Sequence, residues 1–221
     1  YPYVVWAILF TVIPLVMILV YSVYDQSTST FTLEYIKKCF EPEYLKVILY
    51  SFKVALYCTV LCLIIGYPVA MILARTTFKR KNTLLFLVIA PMWMNFLLRT
   101  YAWLTILENN GILNKILGFF NLGPYQFLYN EGAVLLGMVY NYLPFMILPI
   151  YTVLTKLDDN VIQASYDLGA SKSQTFMRIE LPLSMPGVYS GIAMVFMPAV
   201  TTFVISKLLG GGQHAMIGNV I

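Results

Sequence analysis

One arginine stands alone in an apolar stretch. In NTLLFLVIAPMWMNFLLRTYAWLTIL, residues 82–107, Arg99 is the only charged side chain. An ion held among apolar neighbours is costly and marks a candidate for function. Its chemistry is that of a fixed cation: it can pair with Glu108 at the border of the stretch or with an acid of another chain, or it can snorkel to the outer interface. Asn95 and Asn141 also sit in apolar runs, where amides face protein or a wet cavity. Trp93, Tyr101, Trp103, Tyr140 and Tyr142 carry ring faces that attract cations by roughly 0.5–2 kcal/mol each. The same residue types collect at membrane interfaces without touching a solute, and both readings stand. After Pro198, the residues Thr201, Thr202 and Phe203 make a short polar stretch suited to a gate.

Other chemistries are poorly supplied. No GxxxxGK[ST] loop is present to cradle a nucleotide, and no Ser, His and Asp grouping or pair of acids falls at membrane depth. His214 is the single histidine, and Cys39, Cys58 and Cys62 have no ligand spacing. The sequence therefore predicts no enzyme, no protein-held metal and no cofactor.

The elements that position these groups follow from composition. Hydrophobic residues make up 60% of the 221 and charged residues 11%, too little polar surface to solvate a globular body of this length. Uncharged runs extend over Tyr1–Tyr24, Val54–Ala74, Asn82–Leu98, Gly132–Thr155 and Leu181–Ser206. Each approaches the roughly 20 residues a helix needs to cross a bilayer core. The third run continues through Arg99 to Leu107. The reading is an all-α integral membrane protein in one transmembrane domain, with spans at about 3–24, 50–74, 83–107, 132–155 and 183–206. Continuous runs exclude a barrel, whose strands alternate with period two. Every span contains proline, and Gly187 with Gly191 forms a GxxxG pair suited to close helix packing.

Arg75, Lys79, Arg80 and Lys81 follow the second span without an acid, which puts that loop inside. Residues 25–46, 108–131 and the end from Lys207 then lie outside, and 156–180 inside. Lys37, Lys38 and Lys46 in an outer loop depart from the rule. Residues 111–129 suit either an interfacial helix or a plain loop.

The inner stretch 157–182 reads as two short helices. Asp158, Asp159 and Asn160 start the first and Gly169 stops it. Ser171 and Gln174 have capping-box spacing for the second, which Pro182 is expected to break at the start of the next span. Such a platform can cap the bundle or offer a docking surface.

This stretch resembles the EAA loop of permeases of binding-protein-dependent ABC importers, in which Glu-Ala-Ala is followed by Asp, Gly and an Ile-x-Leu-Pro ending. Here the matching residues are Gln163, Ala164 and Ser165, then Asp167, Gly169, Ile179, Leu181 and Pro182. Gln163 replaces the acid and Ser165 the second alanine. The stretches 91–114 and 208–221 are similar to the first permease of spermidine/putrescine importers. The resemblance implies a polytopic helical bundle of about six spans, of which five are present, in a bacterial plasma (inner) membrane. With the missing initiator methionine, it leads to the expectation of further natural segments at both ends. It also implies docking of a separate ATPase dimer on Gln163, Ala164, Asp167, Leu168, Gly169, Ala170, Ser171, Phe176, Ile179, Leu181 and Pro182. A second permease subunit and an extracellular or periplasmic solute-binding protein are the other implied partners, beside the lipid bilayer; nucleic acid is not. The implied solute is a polyamine, the alternative being another small solute; acids and aromatic faces are fitting ligands for a polyamine, and Arg99 is a structural or gating group. The rival class is a gradient-driven secondary transporter, which requires intramembrane carboxylates that the five spans lack.

Overall fold

The computed structural model describes residues 2–25, 30–76, 78–212 and 216–220. It comprises two units, Tyr1–Leu49 and Tyr50–Ile221. His214 lies outside the described residues, as do the side chains of Lys79 and Arg80.

In the first unit, α1 (Pro2–Val23) is apolar and long enough to span a bilayer. Pro14 lacks an N–H and its ring crowds the preceding turn. The chain widens just before it: Ile8–Val12 is a π turn in which the Ile13 N–H reaches Ile8 O. Two-residue strands β1 (Tyr24–Asp25) and β2 (Thr30–Phe31) then pair antiparallel, and α2 (Glu34–Cys39) follows.

Helix α3 (Pro42–Arg75) runs into the second unit, which continues with α4 (Phe78–Trp93), α5 (Phe96–Leu107), α6 (Ile112–Phe119) and α7 (Glu131–Leu154). Then come α8 (Asp159–Asp167), α9 (Lys172–Thr201), α10 (Val204–Leu209) and α11 (Ile217–Val220). The apolar window of α7 is 56% buried, against 39% for α3 and 33% for α9, which makes α7 the central helix of the unit. Helices α4, α5, α9 and α10 pack on it, and the Cys62 thiol of α3 reaches Val139 O at 3.8 Å. Its buried residues Val134, Met138, Asn141, Ile147 and Ile150 recur at helical spacing. Ile64, Ile72 and Met197 turn outward and are exposed, an arrangement that lipid or another apolar chain accepts and water does not.

Among the described residues, four helices are long and apolar enough to cross a membrane, and a bent pair makes a fifth if it counts as one span. The pair breaks the span expected over 83–107 more sharply than the local bend that Pro91 predicts. The chain turns by 94° between Lys81–Trp93 and Phe96–Phe119. Pro91 weakens the end of α4, and Asn95 starts α5 afresh, its Oδ1 accepting the Leu97 N–H at 2.8 Å. Hydropathy registers apolar length and does not see this break.

The expected stop at Pro182 is also corrected: α9 runs unbroken from Lys172 into the membrane. As before Pro14, a π turn, Phe176–Glu180, precedes the proline, and the Leu181 N–H bonds Phe176 O. The wide turn gives the ring space, so the second hairpin helix and the span are one rod. At its other end α9 stops at Thr201 rather than 206, and Thr202 and Phe203 separate it from α10.

Residues 111–129 contain the short helix α6, followed by an irregular segment. Asn114 fastens that segment by acting as a backbone mimic: its Nδ2 donates to Tyr125 O at 2.9 Å and its Oδ1 accepts the Tyr125 N–H at 3.0 Å.

Candidate functional site

The hairpin of α8 and the start of α9 is ordered by local bonds at every turn. The Asp158 carboxylate accepts the Asn160 N–H at 2.9 Å and starts α8. The helix ends in a paired closure, with the Ala170 N–H on Ser165 O at 3.0 Å and the Gly169 N–H on Tyr166 O at 2.9 Å. Gly169 has φ +82°, which L side chains adopt at a cost. Ser171 then opens α9 with the expected capping box: its Oγ accepts the Gln174 N–H at 3.3 Å, and Gln174 Oε1 accepts the Ser171 N–H at 2.8 Å.

The serine standing where the motif has alanine is a clasp between the two helices. Ser165 Oγ donates to Ile162 O at 2.7 Å, so the Thr175 hydroxyl donates to Ser165 Oγ at 2.9 Å, with both residues buried. Replacing Ser171 by alanine is expected to cost about 1 kcal/mol of hairpin stability. Faster amide exchange over 171–175 than in the wild type checks this.

Of the hairpin residues singled out from sequence, Gln163, Ala164, Asp167, Leu168, Gly169, Ser171 and Pro182 are exposed. Ala170, Phe176, Ile179 and Leu181 are half-buried. Leu168 is 89% exposed, an apolar side chain left without cover at the apex of the turn. Phe176 faces inward, its ring edge-on to Tyr67 of α3 at 5.8 Å.

Sequence reasoning missed what ties this hairpin to α3. Arg75, the last residue of α3, forms an ion pair with Glu180, whose side chain is 3% exposed. Ser184 Oγ donates to Leu181 O at 2.8 Å, so the Tyr67 hydroxyl donates to Ser184 Oγ, also at 2.8 Å. A signal was present in the opposite charges at the ends of two spans, but Glu180 fills the variable position of Ile-x-Leu-Pro and drew no notice.

The pathway candidates are more scattered. Arg99 is buried on the face of α5 that also carries Thr100 and Leu107. Its Nε and Nη1 have no hydrogen-bond partner among the described residues, and no ion pair with Glu108 forms there. Asn141 is buried; its Nδ2 donates to Gly137 O at 2.8 Å, while its Oδ1 has no partner among the described residues. Asn95 is occupied as a helix cap. Tyr140 meets the Trp103 ring edge-on at 5.3 Å, whereas Trp93, Tyr101, Thr201 and Phe203 are exposed. Glu108 borders a cavity of about 260 Å³ with Asn109, Asn110, Gln126 and Tyr129. Where α9 ends, the Tyr142 hydroxyl donates to Pro198 O at 3.3 Å. No group of three or more metal-ligating side chains occurs among the described residues.

The family described as binding-protein-dependent transport system inner membrane component matches residues 66–221, which include the whole hairpin. The chain belongs to this family. Among its relatives, the spermidine/putrescine transport system permease protein PotB of Escherichia coli (strain K12) is 40% identical over 98% of this chain and 81% of its own length. The protein of the same name from Haemophilus influenzae is also 40% identical, over 98% of this chain and 78% of its own length. A crystal structure of a bacterial ABC transporter involved in the import of the acidic polysaccharide alginate superposes with a TM-score of 0.77. It covers 99% of this chain and 79% of that one at 17% identity, and shows a shared fold. The chain is thus a multi-pass, inner-membrane permease component. In this permease the family's hairpin motif coincides with the capped, clasped and exposed turn just described.

Proposed function

We propose that this permease forms one half of the solute path of an ATP-driven polyamine importer, paired with a second permease subunit. Its hairpin seats in a separate ATPase on the cytoplasmic side, and a solute-binding protein delivers spermidine or putrescine to the outer face. The observation that carries the coupling role is the hairpin itself: capped at both ends, clasped between its helices, and bare at Leu168. A turn that only closed the bundle would have no use for an uncovered leucine in water, whereas a docking knob would. The polyamine assignment is supported by the two PotB relatives.

Ammonium groups call for carboxylates and aromatic faces, and Glu108, Trp93, Tyr101, Tyr140 and Phe203 are the proposed path-lining groups. Asn95, Asn141 and Thr201 supply polar positions beside them, and Arg99 serves structure or gating. Nucleotide-driven closure of the ATPases shifts the bundle between inward-open and outward-open populations through rigid elements.

Reconstitution of this chain with the second permease, the ATPase and the binding protein in vesicles tests the reading. Labelled spermidine is expected to accumulate only with ATP. Accumulation driven by a proton gradient without ATP would overturn it.

A further inference from the structure

We propose that Arg75 and Glu180 are positioning residues forming a joint that carries movement of the hairpin into α3. This rests on the coupling role proposed for the hairpin. Glu180 closes the π turn that links the hairpin part of α9 to its membrane part. Its carboxylate is buried and held by the guanidinium at the end of another helix. A buried carboxylate stripped of its cation is strongly destabilised, so the two helix ends cannot separate freely when the hairpin moves.

A second contact makes the joint a lever rather than a pivot. Tyr67, two turns of α3 away from Arg75 and about 12 Å along its axis, bonds Ser184 and packs on Phe176. Residues 176–184 of α9 therefore grip α3 at two heights, and rotation of one is imposed on the other. Beside the ion pair lies a cavity of about 370 Å³, lined by Met71, Arg75, Leu154, Asp159, Ile162 and Glu180. The cavity gives α8 room to travel against this fixed joint without repacking a solid core.

The test measures ATP hydrolysed per spermidine imported by the reconstituted complex, with co-purification of the ATPase recorded for each variant. Glu180→Gln keeps the side-chain shape and removes the charge; Arg75→Gln removes the other partner. Each is expected to raise the ratio at least fivefold in an assembled complex, and the double variant is expected to be no worse than the poorer single one. A wild-type ratio in assembled Glu180→Gln, or additive effects of the two substitutions, overturns the joint. Should the charge variants fail to assemble, Tyr67→Phe, which removes only the hydroxyl bonded to Ser184, is read instead. A raised ratio supports the joint and an unchanged one overturns it. A wild-type complex that imports without ATP refutes the coupling role itself, an outcome distinct from a coupled wild type with an indifferent Glu180→Gln.

Discussion

Gly187→Leu is expected to yield almost no stable permease. A Cβ at this position would lie 2.9 Å from Pro149 O and 3.0 Å from Ile150 Cα, both backbone atoms of the central helix. Backbone cannot swing aside as a side chain can, so α9 would have to move off α7 along the whole contact. Overpacking costs about 1–3 kcal/mol where neighbours can adjust, and a full leucine against a helix backbone belongs at or beyond the upper end. Loss of 3 kcal/mol corresponds to more than a hundredfold in the folded ratio, since each 1.4 kcal/mol is about tenfold. Gly191→Ala provides the contrast: its Cβ would meet Met146 Sδ at 2.7 Å, part of a flexible side chain, while the nearest backbone atom, Met146 O, stays at 3.2 Å. It is expected to lower Tm by only a few degrees. Yield of monodisperse protein in detergent and the thermal midpoint measure both, and a wild-type midpoint for Gly187→Leu would mean that α7 and α9 do not approach this closely.

That contact was partly legible beforehand. The GxxxG spacing of Gly187 and Gly191 announces a close helix neighbour, but nothing in it names Pro149 and Ile150 as the surface approached. The same division runs through the molecule. Uncharged runs reveal helices because the bilayer demands apolar length, and capping residues reveal the hairpin because their bonds are local: Asp158 to Asn160, Ser171 to Gln174. The break at Asn95 was hidden because both helices flanking it are apolar and hydropathy carries no direction. Pro182 was misread because a proline's effect depends on the width of the turn before it, and a π turn leaves no signature in composition. The pair of Arg75 with Glu180 joins residues 105 positions apart, a distance over which only the fold decides who meets whom. Arg99 was visible as an anomaly, yet its burial without a partner among the described residues appears only once α5 has a buried face.

Gly169→Val is expected to leave insertion and yield unchanged while reducing uptake at least tenfold with ATP hydrolysis retained. The two effects separate because of where this glycine sits. Beyond its two chain neighbours, no heavy atom lies within 4 Å of a Cβ built there, so a larger side chain meets no packed obstacle. The penalty comes from φ +82°, which costs an ordinary L residue about 1–2 kcal/mol and a β-branched one more. That is small beside the packing of α7 with its neighbours, and the span helices are expected to assemble as before. The hairpin, however, depends on this turn: relaxing φ breaks the Ala170 to Ser165 and Gly169 to Tyr166 bonds and re-aims Leu168. Gly169→Asn separates backbone strain from bulk, because asparagine enters the left-handed region readily. If the turn's conformation is what coupling requires, the asparagine variant retains most of its uptake and the valine variant does not. Equal loss in both would show instead that the bare surface at 169 is needed for contact with the ATPase, and full uptake by the valine variant would remove the hairpin from the coupling path altogether.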